Sequence, residues 1–75
     1  MKKYEQVLGI KGSHDLEFMD DLFEIKDLLY YMGIEVTLKQ AHELWCEFSR
    51  DVYTGGFMDF ISCKEQFAEW VMEDV

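Results

Sequence analysis

Carboxylates crowd residues 15–27 of the chain, DLEFMDDLFEIKD, where six acids stand among thirteen residues with a single lysine. A calcium loop of the EF-hand type needs a glycine in mid-loop, and this stretch has none. Paired carboxylates can also act as general acids and bases. However, sixteen acids among 75 residues make close pairs expected by chance. The segment therefore indicates a charged surface rather than a calcium or catalytic site.

Histidine and cysteine offer the other possible chemistry, which is zinc coordination. His42 and Cys46 are four residues apart, so a helix would place them on one face. His14 and Cys63 would complete a set of four, but the four positions lack the close spacing of a zinc knuckle. The pair Gly55-Gly56 lacks the lysine of a phosphate-binding loop. We therefore predict a protein that is not an enzyme and that has no metal and no cofactor.

The charge balance limits the possible partners, because sixteen acids oppose seven Lys and Arg residues, for a net charge of −9. Nucleic acids and anionic membranes are bound through cations, so neither is an expected partner. A basic protein surface would instead be attracted over long range. We see no signal peptide and no apolar run of membrane-spanning length. We therefore expect a cytoplasmic protein with reduced thiols.

Helical periodicity predicts the elements that must position these acids. We expect residues 1–75 to form one all-α domain, a small bundle of three main helices with or without a short fourth helix that ends at Gly9. The first main helix would begin at Ser13 or Asp15 and end at Met32, with Gly33 in the left-handed C-terminal position. Phe23 and Tyr30 would widen the apolar face of this helix.

Two motifs of the capping-box type predict where the other main helices begin. Thr37 and Gln40 form the first motif, and the helix after it should run from Leu38 to about Tyr53. The stretch SCKE at 62–65 has the same form, and the helix after it should end near Glu73. Ile34 and Val36 should point inward between the helices, and Trp70 should lie on the flank. The predicted core consists of Leu22, Ile25, Leu29, Ala41, Leu44, Trp45, Phe48, Phe67 and Val71, and Val52 would extend the inner face of the second main helix.

Each predicted main helix carries a row of acids on its outer face, spaced by about one turn, or roughly 6 Å of rise. That distance is on the scale of the phosphate spacing in a nucleic-acid strand. Like charges at this spacing destabilise a helix by a few tenths of a kcal/mol per pair. The three rows of acids therefore need an explanation other than helix stability. The candidate binding residues are Glu17, Asp20, Asp21, Glu24 and Asp27 in the first row, Glu43, Glu47 and Asp51 in the second, and Glu65, Glu69 and Glu73 in the third, with Tyr31 among the acids of the first row.

In size, charge and patterning the chain resembles the small acidic helical inhibitors that phages and mobile elements use against restriction or CRISPR systems. The resemblance implies a protein that occupies the Lys/Arg-rich groove of a nucleic-acid-binding target by imitating nucleic acid. The alternative is a protein interaction module whose acids serve only solubility. Its binding anchors would be aromatic, from the set Tyr30, Tyr31, Tyr53, Phe57 and Trp70. The aromatic content of 16% also leaves an antiparallel homodimer open.

Overall fold

Four helices make up the fold in the computed structural model, which describes residues 1–9, 16, 19–52 and 60–75. The helices are α1 (Lys3–Gly9), α2 (Leu22–Tyr31), α3 (Leu38–Val52) and α4 (Phe60–Val71). The prediction of an all-α bundle is confirmed, and the short N-terminal helix is present. Within the described ranges, none of the helices has the length and apolar character needed to cross a membrane.

The helix α2 is shorter than the sequence pattern predicts. Met19 is irregular, Asp20 and Asp21 form a turn, and the helix begins at Leu22, so the prediction of one helix extending from Ser13 or Asp15 to Met32 is wrong. Neighbouring aspartates disfavour a helix interior because their side chains compete for backbone hydrogen bonds. The proposed starting residues themselves, like Glu17, lie outside the described residues.

The C-terminus of α2 has the predicted left-handed glycine, since Gly33 has φ of 85°. The Gly33 backbone N–H donates to the Tyr30 carbonyl at 3.0 Å, and the Ile34 N–H donates to the Leu29 carbonyl at 2.8 Å. These two bonds are those of a Schellman motif. Ile34 and Leu29 are both buried, so the motif turns the chain from α2 directly into the core.

Replacing Gly33 with alanine should destabilise the protein by about 1–2 kcal/mol, because an L-residue is strained in the left-handed region. A Cβ there would meet no atom within 4 Å, so the cost would be conformational and not steric. Gly9→Ala is the matched control, since a Cβ at this helical glycine is equally uncrowded and the backbone there lacks a positive φ. Urea unfolding should show Gly33→Ala less stable than the wild type and Gly9→Ala at least as stable. Equal stabilities of the two variants would contradict this account of Gly33.

The two predicted capping boxes have different outcomes. At the start of α3, the Thr37 N–H donates to Gln40 Oε1 at 2.9 Å and the Gln40 N–H donates to Thr37 Oγ1 at 3.1 Å, which confirms the first box. The second box is wrong, because Ser62 and Glu65 lie inside α4, which already includes Phe60. The helix α4 ends at Val71, two residues before the predicted Glu73, and α3 ends at Val52, close to the predicted Tyr53.

The core confirms the sequence-based list, since all nine predicted residues are buried, as are Ile34 and Val36. Phe60 and Trp70 join them, so the prediction that Trp70 lies on the flank is wrong. Val52 is exposed and does not extend the inner face of α3. Five buried rings contact one another with centroids 5.3–6.5 Å apart, and they belong to Trp45, Phe48, Phe60, Phe67 and Trp70. Much of the aromatic content therefore serves the core that α3 and α4 share.

Candidate functional site

The first acidic row lies on the outer side of α2 and the turn before it. Asp20 and Asp21 occupy the turn, whereas Glu24 and Asp27 are exposed on the helix. Asp20, Glu24 and Asp27 form no ion pair with another described residue. Their carboxylates are therefore presented to solvent and are not engaged by a cation of the described part of the chain.

Exposed aromatic side chains interleave with these acids. Phe23 is 59% exposed, Tyr30 is 65% exposed and Tyr31 is 86% exposed. The Tyr30 and Tyr31 rings contact edge to face, with centroids 6.2 Å apart. The prediction that Phe23 and Tyr30 widen the apolar face is wrong, because the buried stripe of α2 consists only of Leu22, Ile25 and Leu29. The exposed acids and aromatics Asp20, Phe23, Glu24, Asp27, Tyr30 and Tyr31 together form what we call the α2 surface.

A groove of 460 Å³ separates the α2 surface from α4. Its apolar part comes from Leu28, Tyr31, Phe60 and Ile61. Ile61 is 66% exposed, so this wall of the groove is accessible from solvent. The charged part consists of Glu24 and Asp27 on the α2 side and Lys64 on the α4 side. The groove therefore combines an apolar interior with a mainly anionic edge.

The second acidic row is engaged within the molecule. Glu43 is buried and lies 3.7 Å from Lys39, so the prediction that it faces outward is wrong. Glu47 Oε2 accepts a hydrogen bond from Arg50 at 2.7 Å, in a pair separated by three residues of the same helix. Asp51 Oδ2 lies 3.5 Å from Lys3 Nζ. These carboxylates therefore form ion pairs within the molecule, whereas Asp20, Glu24 and Asp27 form none with a described residue.

The third acidic row is split between two environments. Glu65 and Glu69 are exposed on α4 and form no ion pair with a described residue. Glu73 lies beyond the end of the helix, with Oε2 3.6 Å from Lys3 Nζ. Its carbonyl also accepts a hydrogen bond from the Lys3 N–H at 2.8 Å. Glu73 thus helps to join the two ends of the chain, while Glu65 and Glu69 remain open to solvent.

A polar network that the sequence did not reveal surrounds Trp70 at the end of the bundle opposite Gly33. The buried indole Nε1–H donates to Asp51 Oδ2 at 2.9 Å. Lys3 Nζ lies 5.5 Å from the centroid of the Trp70 ring, within range of a cation–π interaction. Lys2 and Asp74 form a further pair at 2.9 Å. The network links α1, α3 and α4, which is a long-range arrangement that no local motif encodes.

Two carboxylates of this network, those of Asp51 and Asp74, have lowered pKa values. The Trp70 hydrogen bond and the nearby Lys3 charge lower the pKa of Asp51 below its usual 3.8. The hydrogen bond and charge of Lys2 lower the pKa of Asp74 in the same direction. Because a lowered folded-state pKa favours the ionised native form, this stabilisation is present above the unfolded pKa and is lost as the pH falls through the folded one. Acid should therefore weaken the junction of the chain ends.

Replacing Asp51 with alanine should cost about 1–2 kcal/mol, because the Trp70 indole N–H would lose its acceptor in a mostly buried position. Asp51→Asn retains an acceptor but removes the charge, so it should cost less and should flatten the fall in stability below about pH 4. Melting temperatures of both variants and the wild type across acidic pH would measure the two effects separately. A wild-type acid dependence that persists unchanged in Asp51→Asn would contradict this role.

The described residues contain no group of three or more His, Cys, Asp or Glu side chains able to hold a metal ion. His42 and Cys46 do share a helix face, with Cys46 Sγ 3.6 Å from His42 Nε2. His14, which the sequence made a possible third ligand, lies outside the described residues, as do the candidate anchors Tyr53 and Phe57.

No protein-family model, curated protein or solved structure matches this chain.

Proposed function

We propose that this chain is a small acidic binding protein that inhibits a nucleic-acid-binding protein by occupying its Lys/Arg-rich groove. The α2 surface makes the contact, in a cytoplasmic inhibitor of the anti-restriction or anti-CRISPR class encoded by a phage or mobile element. The observation that supports this proposal is the exposure of Asp20, Glu24 and Asp27, which form no ion pair with a described residue and lie beside exposed aromatic rings. Such a surface suits a partner that is both basic and partly apolar.

The distribution of cations supports the same proposal. Among the described cations, Lys2, Lys3, Lys39 and Arg50 form ion pairs with acids, whereas Lys26 and Lys64 form none with a described residue. Three of these pairs lie around the chain ends and the second half of α3, away from the α2 surface. On α2, the turn before it and α4, the described acids Asp20, Asp21, Glu24, Asp27, Glu65 and Glu69 outnumber the described cations Lys26 and Lys64. A net negative charge of this kind steers association with a positively charged cleft.

The spacing of the acids is compatible with mimicry of a phosphate backbone. Glu24 and Asp27 are three residues apart, so about 4.5 Å of helical rise separates them. Asp20 precedes Glu24 by four residues and extends the charge beyond the helix. Charges therefore recur along this edge at intervals similar to those of a nucleic-acid strand, which carries a phosphate for about every 3.4 Å of helix axis. A groove lined for phosphates would meet carboxylates at comparable intervals.

Competition with nucleic acid tests the proposal. The immobilised protein should capture a nucleic-acid-binding protein from host lysate, and added DNA or RNA should release that protein. Raising the salt should also release it, because the screening length falls from about 10 Å at 0.1 M to about 3 Å at 1 M. A partner that stays bound in the presence of saturating nucleic acid would overturn direct mimicry.

A second candidate function is an interaction module that binds through aromatic side chains. The exposure of Phe23, Tyr30 and Tyr31 favours it, because aromatic residues are common anchors of protein interfaces. In that case Phe23→Ala combined with Tyr30→Ala would abolish binding, whereas raised salt would not. Capture that persists at 1 M salt, where the screening length is about 3 Å, would favour the interaction module over nucleic-acid mimicry.

A further inference from the structure

We infer that the groove between α2 and α4 receives an arginine side chain of the basic partner, and that it selects arginine over lysine. This inference rests on the proposed function and names the partner group that the site recognises. In the bound state the guanidinium group contacts the Glu24 and Asp27 carboxylates and stacks on the Tyr31 ring. The aliphatic stem of the arginine lies against Leu28 and Ile61. All five residues line the groove.

The chemistry of the groove favours arginine because it offers carboxylates and an aromatic face together. A planar guanidinium group forms paired hydrogen bonds with carboxylates and stacks on aromatic rings, whereas a lysine ammonium is compact and strongly hydrated. Asp27 and Tyr31 are four residues apart on α2 and thus lie on one side of the helix. Tyr31 is 86% exposed, so its ring is available for stacking. The exposed Ile61 side chain offers apolar contact to the stem.

At the other end of α4, this fold already brings a cation, an aromatic ring and a carboxylate together. There the Lys3 ammonium lies 5.5 Å from the Trp70 ring centroid and 3.5 Å from Asp51 Oδ2. A cation, an aromatic ring and a carboxylate thus come together within this fold. In the groove between α2 and α4 the ring and the carboxylates are present, and the matching cation would come from the partner.

Lys64 is the basic residue among those that line this groove. It forms no ion pair with Glu24 or Asp27, so both carboxylates remain open to an incoming cation. Lys64 would repel an arginine at close range, so removing its charge should change the affinity for basic and acidic ligands in opposite directions. Lys64→Gln should tighten binding of a basic ligand, whereas it would weaken binding of an acidic one.

A second copy of this chain is the less favourable occupant. In a two-fold interface both protomers contribute the same patch, and this patch has two acids, Glu24 and Asp27, for one lysine, Lys64, so it would bring four acids and two lysines together. Like charges placed opposite each other oppose association. The charge of the groove edge therefore favours a basic partner over self-association through this face.

Titration with two peptides tests the inference on the purified, intact protein. One is an amphipathic peptide of arginine and leucine, and the other has lysine at every arginine position. Calorimetry should show the arginine peptide binding about tenfold more tightly. Tyr31→Phe should keep this preference, and Tyr31→Ala should reduce it, because only the carboxylates of Glu24 and Asp27 then remain to favour the guanidinium group. The exposure of Tyr31 makes both variants compatible with the fold.

Equal affinities for the two peptides, or a preference that Tyr31→Ala leaves undiminished, would overturn the inference. Sedimentation of the protein alone gives a separate result. Self-association that Tyr31→Ala abolishes would assign the groove to a second copy instead. Failure here is distinguishable from failure of the proposed function, because the peptide titration involves neither the native target nor nucleic acid. An arginine preference combined with a target that does not bind nucleic acid would leave the groove assignment intact and reject the mimicry.

Discussion

Replacing Phe67 with alanine should destabilise the protein by about 3–5 kcal/mol, as is usual for truncation of a buried aromatic residue. Phe67 is completely buried, and its ring contacts those of Trp45, Phe48, Phe60 and Trp70 at centroid distances of 5.3–6.5 Å. At roughly 0.05–0.15 kcal/mol per residue, a chain of this length has about 4–11 kcal/mol of total stability. The loss is therefore a large fraction of the total stability, and the variant should melt at a much lower temperature than the wild type.

Phe23→Ala is the matched control, because it removes the same atoms from a ring that is 59% exposed. It should change the stability by less than about 1 kcal/mol. Thermal and urea unfolding, followed by circular dichroism, would compare the two variants with the wild type. Similar losses in both variants would mean that the aromatic cluster around Phe67 does not hold the bundle together.

The parts of the fold that the sequence predicted correctly depend on local signals. The reciprocal bonds of Thr37 and Gln40 involve residues three apart, so the start of α3 can be recognised without knowing its neighbours. The same is true of Gly33, because the end of a helix at a glycine can be predicted without knowing the tertiary structure. Periodicity also identified the central core residues, because one apolar stripe along each helix determines which side faces inward.

The failed predictions concern features that distant residues determine. Ser62 and Glu65 have the spacing of a capping box, but α4 already includes Phe60, which packs on Trp45. Periodicity placed Trp70 on the flank, yet it is buried because its ring packs on Phe48 of α3 and α1 brings Lys3 against it. A pattern along one helix does not reveal which neighbouring helix will cover its edges. The width of each buried face was therefore the least predictable feature.

The candidate site shows the same division between local and long-range information. The sequence presented three comparable rows of acids, and nothing in their spacing distinguished one row from another. The fold distinguishes them through the positions of the cations, since Lys3 engages both Asp51 and Glu73. Glu24 and Asp27 form no ion pair with a described residue, although Lys64 lines the same groove. The proposal for the α2 surface thus depends on tertiary structure, although its residues were visible in the sequence.

Neutralising Glu24 and Asp27 should weaken binding to the target about a hundredfold, as two losses of about 1.4 kcal/mol each. The double variant Glu24→Gln with Asp27→Asn removes both carboxylates that a basic group of the partner would contact. It should not unfold the protein, because both side chains are exposed and their mutual repulsion is removed. The affinity for the captured target, measured at low salt, is the readout, and a thermal melt checks the fold.

Two further variants separate a local effect from the effect of total charge. One of them combines Gln6→Lys with Gln66→Lys, and the other combines Glu65→Gln with Glu69→Gln. Like the double variant of Glu24 and Asp27, each changes the net charge from −9 to −7. The four residues are exposed. The Gln6 and Gln66 variant should retain nearly full affinity, and the Glu65 and Glu69 variant measures what the third row adds. If all three variants lost affinity equally, only the total charge of the protein would matter. If none lost affinity, the carboxylates would serve solubility, and the exposed aromatic side chains of α2 would be the binding residues.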